Sequence, residues 1–159
     1  MSETKSHKQK LYSGIALALL ALLIIGCRLY TRTEPLQNDL TFYALIGHEM
    51  NEGKWLYSDV NDQKPPGIFV AYALAEKLVG FGPQCMLLLS ILTALGTLLG
   101  VYCAGLWFQE IDKEPNYLAA LTAAACWAIC SGSMTIEANQ PNTEVFQNLF
   151  KVWAFALLL

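Results

Sequence analysis

Three residues of this chain are suited by type and setting to do chemistry: Asp39, Lys64 and Glu144. A carboxylate at Asp39 can act as general base towards a hydroxyl or amine, or hold a divalent metal ion beside a phosphate. As part of Asn38-Asp39 ahead of Leu40 it equally suits a helix cap. The Lys64 ammonium, directly before Pro65-Pro66-Gly67, suits a lipid phosphate at headgroup depth. An interfacial lysine that only snorkels would look the same. Glu144 opens an apolar run, where it either meets Asp39 across a cavity or complements a helix amino terminus. Around them lie Tyr43, Trp55, Tyr57 and Asp59. The aromatics can stack on a sugar or prenyl chain, or form an aromatic belt. Asp59 lines such a site or belongs, with Asp62, to a solvated acidic loop, and Glu137 is a further acidic residue ahead of Glu144. His48 has no evident partner and reads as a surface residue.

These groups occupy polar islands in an otherwise apolar chain. Of 159 residues, 55% are hydrophobic and 14% charged, whereas soluble domains carry about 25% charged residues. That deficit points to a bilayer. The net charge of -3 offers no basic surface for nucleic acid, which is excluded as a partner. The five cysteines, Cys27, Cys85, Cys103, Cys126 and Cys130, all sit in or beside apolar segments without a CxxC pair, so they read as packing residues.

The expected fold is all-α: a multi-pass transmembrane helix bundle with interfacial helices in the first external loop. Residues 1–10 form a cytoplasmic tail, held inside by Lys5, Lys8 and Lys10. Residues 11–30 form a first span of about the 20 residues a bilayer requires. Ile24-Ile25-Gly26-Cys27 has the outline of a lipoprotein cleavage box, but Arg28 and the apolar remainder favour a retained span. Residues 31–82 are the external loop. Within it, 42–52 and 68–79 are expected as surface helices, the latter too short to cross and preceded by Pro65-Pro66. A second span covers 83–108, with Gly96, Gly100 and Ala104 as a small-residue packing stripe. A cytoplasmic turn at 109–115, a third span at 116–134 and an external loop at 135–144 follow. Residues 145–159 begin a fourth span, and this short last run makes the chain read as the amino-terminal part of something longer. With this count Asp39, Lys64 and Glu144 share one side of the membrane; if 68–79 crossed, they would not.

The order Asn38-Asp39-x-x-Phe42-Tyr43, Gly53-x-Trp55-x-Tyr57-x-Asp59, Lys64-Pro65-Pro66-Gly67 and Asn139-x-x-Asn142-Thr143-Glu144 resembles the amino-terminal part of the GT-C glycosyltransferases. Within them it is most similar to protein mannosyltransferase-like enzymes and the aminoarabinose transferases of lipid A. The resemblance implies transfer of a sugar from a polyprenyl-phosphate donor to a lipid, protein or glycan acceptor. The site would face outward from a bacterial inner membrane. It makes Asp39 the catalytic base, Lys64 the donor-phosphate ligand and Glu144 the second acidic residue, with Tyr43, Trp55, Tyr57 and Asp59 lining the substrate. A chain holding only this amino-terminal part would itself be inactive. The sequence departs from many relatives in lacking an Asp-Glu doublet at Asn38-Asp39-Leu40 and in carrying Gln63 where some have a carboxylate, so a metal ligand at Gln63 is not expected. The alternatives are a non-enzymatic multi-pass protein, either a transporter module or an assembly subunit, and an inactive remnant. A transporter should hold ionisable groups near the bilayer midplane, and the long apolar runs here are almost free of them.

Overall fold

A computed structural model describes residues 2–35, 38–108, 116–133 and 139–159, with side chains from His7 onward. The described chain is helical: α1 (Ser2–Thr31), α2 (Asn38–Asn51), α3 (Pro66–Val79), α4 (Pro83–Trp107), α5 (Tyr117–Ser131) and α6 (Thr143–Leu158). The turn expected at 109–115 and Glu137 lie outside the described residues. Leu56 and Val60 form an isolated β-bridge between α2 and α3.

Among the described residues two segments are long and apolar enough to cross a membrane, His7–Thr31 and Pro83–Trp107, each of 25 residues and containing a stretch of 18 with mean hydropathy 2.1. Helix α1 begins at Ser2, so the residues expected as a tail continue the helix. Helices α5 and α6 have 15 and 16 residues, about 23 Å at 1.5 Å per residue and short of a 30 Å hydrocarbon core. Only the first two of the four expected spans therefore have full length within one helix.

Helix α4 is the central post, packed against α1, α3, α5 and α6. Its glycines do what small residues do in apolar bundles: they let backbones approach. A Cβ on Gly100 would lie 2.8 Å from Val152 Cγ1, and one on Gly96 would lie 2.8 Å from Leu149 Cδ1, so both face α6. Trp153 Nε1–H donates to the Gly96 carbonyl at 2.9 Å, and Trp127 Nε1–H to the Ala94 carbonyl at 3.1 Å. On the α1 side, Ile24, Ala94, Leu98, Ala124 and Ala128 form a buried cluster. Arg28, 1% exposed, ends α1 by donating from Nη1 to the Ser131 carbonyl at 2.7 Å. It thereby places a cation at the carboxyl end of α5, where the helix dipole favours one.

Helices α2 and α3, of 14 residues each, are too short to cross and pack on one another as a pair. A Cβ on Gly47 would sit 2.8 Å from the Ala73 backbone nitrogen, so only glycine permits this crossing. Helix α2 is not a surface helix of the expected register. It starts at Asn38, and it buries Leu40, Tyr43, Ala44, Ile46 and Gly47 while Phe42 and Leu45 stay exposed. Its buried face joins Phe69, Tyr72, Met86 and Leu89 in a second core that ties the pair to α4. Pro66 opens α3 after an extended Pro65, a position where the missing proline N–H costs nothing. Gly80, at φ 87°, closes it by donating to the Glu76 carbonyl at 2.7 Å.

Candidate functional site

The first two turns of α2 present Asp39 and, four residues on, Tyr43 on the same face. Tyr43 is 2% exposed and wedged edge-on against Phe69 and Tyr72, with ring centroids 5.8 Å and 6.0 Å away. Packing thus fixes where its hydroxyl points. That hydroxyl donates to Asp39 Oδ2 at 3.4 Å and accepts from Thr143 Oγ1 at 3.5 Å, both long contacts. Thr143 is the first residue of α6, whose cap is Asn142, accepting from the Val145 N–H at 3.0 Å. Glu144 is therefore relieved of capping and stays exposed in the first turn. Asp39 likewise lies inside the first turn of α2 rather than ahead of it.

Lys64 enters from the loop before α3. The Tyr43 phenol foremost raises its ammonium above the ordinary pKa; desolvation, next in size, opposes it, and the Glu144 and Asp39 carboxylates add smaller effects in the raising direction. Asp39 and Tyr43 of α2 and Lys64 of the loop thus border one place, and Thr143, the neighbour of Glu144, reaches it through the Tyr43 hydroxyl. Asn38, Asp39, Phe42 and Tyr43 on one side and Asp62, Gln63 and Lys64 on the other enclose a cavity of about 310 Å³. Beside it runs an apolar groove of about 250 Å³ between α3 and α6, lined by Pro65, Ile68, Ala71, Phe146 and Phe150 among others. It begins at Pro65 and Thr143, the chain neighbours of Lys64 and Glu144.

The other residues expected to line a substrate lie elsewhere. Trp55 is 76% exposed, and neither it nor Tyr57 nor Asp59 borders the cavity. Asp59 Oδ2 accepts from the Trp55 N–H at 2.8 Å, a bond that shapes the turn. Tyr57 donates its hydroxyl to the Lys64 carbonyl at 2.7 Å. Asp62, read in the sequence as a loop acid, accepts the Lys64 N–H on Oδ1 at 3.1 Å. Thr143 and the central place of Tyr43 were missed in the sequence; the Asn142-Thr143-Glu144 run carried the only signal for the former. His48, expected to lack a partner, pairs through Nδ1 with Glu76 Oε1 at 2.7 Å and lies over Phe81 at 4.5 Å between ring centroids.

The arrangement can do two things at once. An ammonium at the mouth can take an anionic oxygen, while a nearby carboxylate accepts a proton. The Asp39 carboxylate also has the donor chemistry for a divalent ion beside a phosphate. Among the described residues no group of three or more His, Cys, Asp or Glu side chains converges to hold one. No protein-family model, curated protein or solved structure matches this chain.

Proposed function

We propose that this protein is a membrane glycosyltransferase that moves a sugar from a polyprenyl-phosphate donor to a hydroxyl acceptor at the external face. The observation that carries this reading is the convergence of Lys64, Tyr43, Asp39 and Glu144 beside an apolar groove. A prenyl phosphate has the matching anatomy, an anionic head on an apolar tail. Lys64 takes the phosphate, which leaves with the electron pair of the broken sugar–phosphate bond. Asp39 takes the acceptor's proton as its oxygen bonds to the anomeric carbon. Glu144, at the head of α6, adds a second negative charge that favours the ammonium. The two long apolar helices support a membrane setting. Lys5, Lys8 and Lys10 at the amino end support a cytoplasmic start and an outward site.

Asp39→Asn tests it in membranes that carry the native protein and a radiolabelled polyprenyl-phosphate sugar. Transfer should fall by at least about 100-fold, with membrane insertion unchanged. Undiminished turnover would remove Asp39 from the chemistry. Donor binding without turnover in the native protein would mark a non-enzymatic carrier-binding role instead.

A further inference from the structure

Among the described residues, Tyr57 is the non-glycine residue with a left-handed backbone, at φ 69°. A bulky aromatic adopts that conformation only where its surroundings impose it, and such strain collects at functional sites. Here the imposing structure is a compact turn. The Tyr57 N–H donates to the Val60 carbonyl at 2.7 Å, and the Asp59 and Val60 N–H groups both donate to the Trp55 carbonyl. The Asp59 carboxylate closes the turn on the Trp55 N–H. Its effect is to swing the Tyr57 ring over to Lys64, whose carbonyl accepts the phenol hydroxyl at 2.7 Å. On its other side the Lys64 N–H is held by Asp62 at 3.1 Å. Pro65, at φ -60° and ψ 150°, fixes the chain immediately after it. Both peptide groups flanking the Lys64 Cα are therefore tied by side chains.

We propose that Tyr57, with Asp62, is a positioning residue: the strained turn at residues 55–60 holds the Lys64 main chain so that its ammonium stands at the mouth of the Asp39–Tyr43 cavity before any anion arrives. Lys64 must be the phosphate-binding cation for this to matter, so the inference rests on the function proposed above. Ordering the cation in advance removes a cost that binding would otherwise carry. The role differs from stacking on a sugar, which would need the Tyr57 ring and not its hydroxyl.

Tyr57→Phe separates the two, since it keeps the ring and loses only the hydroxyl. The full chain is purified in neutral phosphatidylcholine nanodiscs, and helical content is checked by circular dichroism. Two quantities are read: the rate at which an amine-directed reagent labels Lys64 at about pH 9, and the affinity for farnesyl phosphate. Losing one hydrogen bond should weaken farnesyl phosphate binding about fivefold and speed Lys64 labelling by a similar factor. Unchanged labelling would overturn the positioning role. Faster labelling in a protein whose native form binds no farnesyl phosphate would uphold the clamp and overturn the phosphate reading alone.

Discussion

At the scale of single residues, Tyr43 is the point through which the site is coupled. Its ring belongs to the apolar core and its hydroxyl to the cavity, so it joins the packing of α2 on α3 to the charge of Lys64. Tyr43→Phe keeps the edge-on contacts with Phe69 and Tyr72. Its hydroxyl contacts are long, so thermal stability should fall by no more than about 1 kcal/mol. Transfer should fall further, by about 10- to 100-fold, because Lys64 and Asp39 lose their shared partner. A variant equally active and equally stable would show that the hydroxyl does nothing. The sign of the Lys64 shift also matters. A lysine raised above its ordinary range keeps its charge through the neutral region and gives up any stability from its partners only as pH rises above that range. Asp39, Lys64 and Glu144 were legible as chemistry-bearing types in the sequence. The hub was not, because nothing in a sequence distinguishes a tyrosine aimed at a cavity from one of a belt.

At the scale of elements, the α2–α3 pair carries most of the site, and its far end is pinned by His48 and Glu76. The hydrogen bond to Glu76 foremost raises the His48 pKa above its ordinary 6.5. The charge of Glu76, and then those of Glu52 and Glu49, act in the same direction, while desolvation opposes them. Glu49 is shared with Lys54, its ion-pair partner. A histidine raised on folding contributes stability that is whole below its unfolded pKa and lost as pH rises through the folded one. The thermal midpoint in detergent should therefore decline as pH climbs from about 6.5 through the raised value. His48→Gln should flatten that slope; a slope kept in the variant would put the titration elsewhere. Both short helices were legible from their lengths and from Pro65-Pro66. The buried face of α2 was not. Helical period alone allowed Phe42 and Leu45 inward, and the crossing at Gly47, set by backbone contact with Ala73, turned the helix the other way.

At the scale of the whole molecule, the proposed topology puts the 55–64 loop and the head of α6 on one side of the membrane. Single cysteines placed at Trp55 and at Glu144, on a background with all five native cysteines replaced, should both react with an impermeant maleimide added outside intact cells. Labelling of one from outside and the other only after lysis would break the external site apart. Composition and the two long apolar runs by themselves determined that the chain is helical and carries two segments long enough to cross a membrane, because backbone polar groups in hydrocarbon must be satisfied within the segment. The sequence also set the termini of α3 and α6, through Pro66, Gly80 and Asn142, whose effects are local. What only the tertiary structure decided was which of the separated polar residues meet. Glycines on α4 bring α6 close, Gly47 brings α2 onto α3, and together they set Thr143 against Tyr43. Such meetings depend on backbone distances between helices, which no local pattern of side chains encodes.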